Sequence, residues 1–396
     1  MYQISKRLQN MRYSQTLAMN ARARYLKSLG NDIISLSVGE PDFLPPDFIL
    51  NASKKAIDDG HHYYTPVAGY SKLREVICNK FKRDNNISYS PSQIIVSNGV
   101  KQSIINVLLA ILNSQDEIII PAPYWVSYCE MAKLCEANPI IVYTKVENNY
   151  KITPEELENA ITTRTKAFIF STPCNPTGSV YSRNELKLLS KVFSKHPNII
   201  IISDEIYEHI CYNNEHISIA TFPEVYEQTV TLNGISKSFA MTGWRIGYLG
   251  APEWLTQACE KIQVQTTSCA NSIAQCAAIA ALESSPKRIE YMISAFKKRL
   301  DLVLDLLNDI PGFILLNKPK GAFYVFPNVS NFLGKKFNGK KIKNTDDLAI
   351  YLLETANVST VSGTAFGSNK SLRISYAISE DKLENAFKRI KNALKF

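Results

Sequence analysis

The sequence predicts an α/β fold, a mostly parallel sheet covered by helices, followed by a smaller α+β unit. Three observations carry that expectation. Short runs dense in isoleucine, valine and phenylalanine recur from residue 93 to residue 237. Amphipathic segments separate several of them, and helical patterning dominates after about residue 255. The runs are continuous rather than alternating, which is what strands buried on both faces require.

Taken in order, the first 31 residues hold no Asp or Glu and several Arg and Lys. They read as an N-terminal arm and helix and not as a transit peptide, because no long apolar run or separate leader precedes the motifs that follow. The strands then come as "QIIVSNG", "DEIIIPAP", "PIIVYTK", "AFIFSTP", "NIIIISDEIY" and "TVTLNGISK". Between the fourth and fifth lies "SRNELKLLSKVFSKH", with the apolar spacing of a helix packed on one face. A long helix through "PKRIEYMISAFKKRLDLVLDLLND" leads out of the large unit. "GAFYVFPNV", a helix near "TDDLAIYLLETA", "LRISYA" and a last helix complete the smaller one. The expected division is an arm with part of the small domain over 1–47, a large domain over 48–288 and a small domain over 289–396.

Composition excludes several classes of function. The net charge of +9 is moderate, and much of it lies in "FKKRL", "LGKKFNGKKIK" and "RIKNALKF", which lack interleaved aromatics and read as solvated faces. No nucleic-acid partner is expected. No run approaches the roughly 18 apolar residues of a membrane span. Eight cysteines without CxxC or CxxH, and five histidines without HExxH, give no metal motif. Unpaired cysteines in apolar segments suit a reducing, cytoplasmic compartment. "GKKFNGKK" imitates the start of a P-loop, but Lys341 stands where Ser or Thr is needed and no buried strand leads into it.

Chemistry-bearing residues cluster at strand ends, where open α/β sheets bind ligands. "SNGVK", "PAPYW", "STPCNPTG", "SDEIY" and "NGISK" each follow a strand. Lys237 sits among small and apolar residues, an expensive place for an ammonium, with Arg245 eight residues on. Asp204 follows four isoleucines and so wants a cationic partner. Singly, Asp204 also suits a helix N-cap, Asn175 a turn before proline, Trp125 core filling and Arg245 a structural ion pair. Together with Lys237 they form a set that one cofactor explains.

"SVGEPDF", "PAPYWVSY", "NPTGSVYS", "SDEIYEHI", "SKSFAMTGWRIGY" and "LRISYA" resemble, in order and approximate spacing, the motifs of class I aminotransferases. These are fold-type I pyridoxal phosphate (PLP) enzymes, and the resemblance is nearest to the aspartate/prephenate aminotransferase subgroup. It implies that Lys237 carries PLP and shuttles the proton between substrate Cα and cofactor C4′. Asp204 pairs with the pyridinium nitrogen; Tyr207 and Asn175 bond the phenolic oxygen; Trp125 stacks on the ring and, with Asn175, borders the substrate. Arg245, Ser236, Gly99, Val100 and Lys101 bind the phosphate, joined by Tyr64 from a neighbouring subunit of a homodimer with shared active sites. Arg373 clamps the substrate α-carboxylate and Gly39 lets the chain approach it. The family's counterparts of Ala122-Pro123 and Asn175-Pro176 are cis, so both bonds are expected to be cis here.

Two departures stand out. Gly234 replaces a serine found three residues before the lysine in many relatives, and Ser362 precedes Gly363 where a proline is often found. The implied reaction is transamination of aspartate with 2-oxoglutarate. Thr16, Ser14, Arg12 and Lys101 are candidates for a second carboxylate contact, and a match of Thr16 and Lys101 to prephenate-accepting relatives extends the expectation to prephenate. The alternatives are an aminotransferase for an aromatic amino acid or alanine, a PLP lyase on the same fold, and a PLP-binding regulator; no DNA-binding segment precedes the domain to support the last.

Overall fold

A computed structural model describes residues 4–9, 11, 13–212 and 216–395. All six expected strands form, as Ile94–Ser97, Glu117–Ala122, Asn138–Tyr143, Thr165–Ser171, Ile200–Asp204 and Thr229–Gly234. A seventh, Gly247–Gly250, was not anticipated: four residues flanked by glycines carry little strand signal. Across the sheet the order is Ile94–Ser97, Gly247–Gly250, Thr229–Gly234, Ile200–Asp204, Thr165–Ser171, Glu117–Ala122 and Asn138–Tyr143. Gly247–Gly250 runs antiparallel to both neighbours and every other pairing is parallel. Its glycines are required by packing, because a Cβ on Gly247 would fall on the backbone of Gly99 and Val100.

Alternation along the strands feeds two apolar cores. Ile118, Ile120, Ile169 and Ile202 face one side, while Ile119, Phe168, Phe170 and Ile201 face the other. Helix Arg183–Phe193 covers the second side with Leu186, Leu189, Val192 and Phe193. Ser182 and Glu185 cap it reciprocally, each side chain accepting from the other's backbone N–H, which fixes its start where the amphipathic pattern begins. Helices Ser71–Asn85, Val100–Ile111 and Ser272–Glu283 cover the first side. That core continues into the C-terminal part, through Phe296, Leu300, Tyr324, Ile374 and Phe387.

The long helix runs over Glu290–Asn308 and leads to a three-stranded sheet of Val361–Ser362, Leu372–Ser375 and Tyr324–Val325. The N-terminal arm joins this part of the molecule: Ile34–Ser35 pairs in parallel with Val358–Ser359, and Ala23 and Ile33 pack on Leu353. "GKKFNGKK" folds as a hairpin, Lys336–Phe337 against Lys340–Lys341, in which all four lysines are exposed and which a 3-10 turn, Ser330–Phe332, precedes in place of a buried strand. Both departures have local explanations. A Cβ on Gly234 would lie 2.8 Å from the Ile246 carbonyl, so no serine fits without movement. Ser362 accepts the Thr364 N–H at 3.3 Å and caps the turn Gly363–Phe366.

No helix among the described residues is long and apolar enough to cross a membrane. Two groups do gather ligand-type atoms, Asp84, Glu208 and His209, and Glu205, Glu208 and His216. Fully buried Lys80 pairs with Glu208, and Asn85 bridges the two, accepting from Lys80 and donating to Glu208. The lysine ammonium thereby pairs with Glu208, while Glu205 is met by His216 at 3.0 Å and by the Ser203 and Ser218 hydroxyls.

Candidate active site

The carboxyl ends of the strands open onto a cleft of about 240 Å³. Lys237, Asp204, Tyr207, Asn175, Trp125, Ser236, Arg245, Val100, Lys101, Gly39, Arg373, Thr16 and Ser14 all line it. The sequence scatters these residues over more than 350 positions, and the sheet gathers them.

Lys237 lies three residues beyond strand Thr229–Gly234, partly buried, and its Nζ donates to the Gly39 carbonyl at 2.7 Å. Burial of the ammonium, with repulsion from Arg245 and Arg373, lowers its pKa to about 8 against the attraction of Glu40 and Asp204. Near neutral pH a usable fraction is the free amine. Asp204 ends strand Ile200–Asp204 and is 4% exposed. Its Oδ2 accepts from Tyr128 Oη at 2.7 Å and its Oδ1 from the Ile206 N–H at 3.3 Å. Burial raises it to about 6, opposed by those two hydrogen bonds and by Lys237.

Asn175 and Arg373 meet directly, Arg373 Nη1 donating to Asn175 Oδ1 at 3.1 Å and Nη2 to the Ser37 carbonyl at 2.6 Å. The guanidinium lies 4.5 Å from the Tyr324 ring centre, and its Nε is buried with no hydrogen-bond partner among the described residues. An uncompensated donor on a buried cation marks a place for an anion. Tyr207 shares a 2.8 Å hydrogen bond with Tyr324, whose hydroxyl sits where a Cβ on Gly39 would lie.

At the other end of the cleft, Gly99 (φ +80°) precedes helix Val100–Ile111, which has no side-chain N-cap. A Cβ on Gly99 would collide with the Arg245 guanidinium. Arg245 itself adopts the left-handed conformation (φ 58°) and donates to the Thr242 carbonyl at 2.8 Å. Lys101 Nζ lies 4.9 Å from the Trp125 ring centre. Desolvation there and repulsion from Arg245 lower its pKa. Free helix N–H groups, Ser236 and two cations around a Cβ-less turn form a cradle for a phosphate. With a depressed lysine and a buried carboxylate further along the same cleft, the donor set fits PLP.

Ala122-Pro123 and Asn175-Pro176 are both cis, as expected, and Thr172-Pro173 is cis as well. Ser14 is the N-cap of helix Gln15–Ser28, accepting the Leu17 N–H at 3.4 Å. Thr16 lies within that helix, and its buried Oγ1 has no partner among the described residues. Tyr64 does not reach this cleft; it is 92% exposed on the same chain. Arg12 lies outside the described residues. Sequence reasoning missed Tyr128, Tyr324 and Ser171, which also line the cleft. Tyr128 could have been suspected from its place one helical turn after Trp125, whereas Tyr324 and Ser171 look like ordinary strand residues.

A twisted α/β sheet with a lysine, a buried carboxylate, an arginine clamp and an anion cradle at its strand ends defines an enzyme that works on anionic substrates. The family model described as "Aminotransferase class I and II" matches residues 31–390, and the chain belongs to that family. It is 45% identical over 390 residues to the aspartate/prephenate aminotransferase of Cereibacter sphaeroides, covering 98% of this chain and 97% of that one. It is 44% identical to the bifunctional aspartate aminotransferase and glutamate/aspartate-prephenate aminotransferase of Petunia hybrida, covering 99% of this chain and 82% of that one. Among solved structures, the aspartate aminotransferase of Rhizobium meliloti superposes with a TM-score of 0.95 at 39% identity, covering 99% of both chains. That of Thermus thermophilus with maleate superposes at 0.93 and 38%, covering 100% of both.

Proposed function

We propose that this aminotransferase is a PLP-dependent cytoplasmic homodimer that transfers the amino group of aspartate to 2-oxoglutarate, with prephenate as a second amino acceptor. The observation that carries the reading is one cleft holding Lys237 near neutrality, Asp204 buried and ionisable, and Arg373 with an unsatisfied donor. PLP supplies a carbonyl for the amino group and an electron-withdrawing ring. In this reading Lys237 would hold the cofactor, and its free amine would take up and return the substrate Cα proton. Asp204 holds the ring-nitrogen proton. Tyr207 and Asn175 bond the phenolic oxygen, and Trp125 stacks on the ring. Gly99, Val100, Lys101, Ser236 and Arg245 cradle the phosphate, with Tyr64 donated by the partner subunit. Arg373 orients the substrate carboxylate, beside Gly39. The domain division at 47 and 288 belongs to the same reading, as does the absence of a nucleic-acid or membrane partner. Eight free cysteines support the reducing compartment.

Thr16 and Lys101, at the mouth of the cleft, provide a hydroxyl and a cation for the second carboxylate of a dicarboxylic substrate. The test is kcat/KM for aspartate, prephenate, alanine and phenylalanine in the wild type, Thr16→Val and Lys101→Ala. A lost carboxylate contact lowers the dicarboxylic values by about 10–150-fold beyond any loss for alanine, which Thr16→Val leaves unchanged and Lys101→Ala lowers only through its phosphate contact. Equal loss for alanine would assign both residues to the cofactor or the fold. Absence of stoichiometric glutamate from aspartate and 2-oxoglutarate would end the reading altogether.

A further inference from the structure

We propose that Tyr128 is the positioning residue that keeps Asp204 a carboxylate and turns its remaining lone pairs toward the ring nitrogen of the cofactor. This deepens the PLP reading and rests on it. Both groups are buried, Tyr128 at 1% and Asp204 at 4% exposure, and the separation of 2.7 Å is that of a phenol donating to an anion. A carboxylate offers about four acceptor positions. Tyr128 takes one on Oδ2 and the Ile206 N–H one on Oδ1, so the others remain for the cleft that Asp204 lines.

The fold builds this contact from three elements. Tyr128 lies in the first turn of helix Ser127–Leu134, three residues after Trp125, and the two rings meet edge-on at 5.5 Å. Ser171 pairs in register with Asp204 on the adjoining strand. Its Oγ lies beside both Tyr128 and Cys174 and lines the same cleft. A phenol suits the task because it stays a donor: burial, then the charge of Asp204, pushes Tyr128 well above the ordinary tyrosine range.

The groups facing Asp204 are Tyr128, Lys237, Glu205, Tyr207 and Cys174. Burial lifts Tyr207 and Cys174, so both stay neutral at physiological pH. Glu205 opposes the Asp204 charge and Lys237 favours it. Among the influences favouring the charge, the Tyr128 bond is the largest, ahead of the Ile206 N–H and Lys237. Without it, burial is opposed only by the weaker two, and the carboxyl titrates higher.

The test uses Tyr128→Phe, which keeps the ring and removes the donor. In the cofactor-free protein, 13C NMR of labelled aspartate carboxyls, assigned with Asp204→Asn, follows the titration of Asp204. The midpoint moves up by about one pH unit or more in Tyr128→Phe. Affinity for PLP falls about tenfold or more, while affinity for an analogue with CH in place of the ring nitrogen stays within about twofold. An unmoved midpoint, or equal loss of both ligands, overturns the proposal. Should Tyr128→Phe not fold, 3-fluorotyrosine at position 128, a stronger acid of nearly the same size, shifts the midpoint downward, and no shift overturns it. A wild-type protein that binds neither ligand would end the PLP reading, while the Asp204 titration would still decide the role of Tyr128.

Discussion

Replacing Lys237 by methionine should stabilise the cofactor-free protein at neutral pH, and the gain should fade as the pH rises. Burial and two neighbouring guanidinium groups lower Lys237 from 10.5 to about 8. A lysine whose folded value lies below its unfolded value opposes folding while it is protonated. The penalty is full below about pH 8 and is relieved as the pH climbs toward 10.5. Those two limits correspond to about 3 kcal/mol at pH 7 and about 1.4 kcal/mol at pH 9.5. Methionine fills similar volume without charge, but it forfeits the 2.7 Å hydrogen bond to the Gly39 carbonyl. That loss costs about 1 kcal/mol. The methionine protein should therefore be about 2 kcal/mol more stable at pH 7 and within about 0.5 kcal/mol of the wild type at pH 9.5. Urea unfolding of the two cofactor-free proteins at both pH values measures this; groups remote from Lys237 cancel in the difference, and Asp204, raised only to about 6, is ionised at both pH values. A methionine variant less stable than wild type at pH 7, or a difference that ignores pH, would refute the reasoning.

Lys237→Ala should lose turnover by several orders of magnitude while the fold survives; full activity would end the mechanism. Gly99→Ala should destabilise the protein by about 1–3 kcal/mol and weaken PLP binding, since Gly99 adopts φ +80° and ψ 160° and its Cβ would displace Arg245; unchanged unfolding and binding curves would contradict this. Asp204→Asn should abolish activity without unfolding the protein, because a neutral amide no longer favours a protonated ring nitrogen, and circular dichroism beside the activity assay separates the two effects. Mixing Tyr64→Phe and Arg373→Ala chains should give hybrid dimers more active than the mean of the two parents if the sites are shared, because one site then holds both native residues. A fully active monomer in light scattering would exclude sharing.

Local pattern carried much of this protein. Four isoleucines before Asp204, the β-branched run before Lys237 and the glycine before helix Val100–Ile111 placed strands, turn and cleft from the sequence, because burial on both faces demands continuous apolar runs. Lys237, Asp204, Gly99 with its helix and Arg373 were legible by type and order for the same reason: each sits at the end of a recognisable strand or within one. Tertiary structure alone decided the rest. Gly247–Gly250 became a strand by pairing with both Ile94–Ser97 and Thr229–Gly234, and close neighbours leave no room for a Cβ at Gly247 or Gly250. Ser14 rather than Thr16 took the cap, leaving the threonine hydroxyl buried in the cleft. Tyr128 and Tyr324 acquired their roles by hydrogen-bonding Asp204 and Tyr207 across 76 and 117 residues of chain. Periodicity records which face of an element is buried, but the partner of a buried hydroxyl is set by how separate elements pack, and no local window of sequence contains that information.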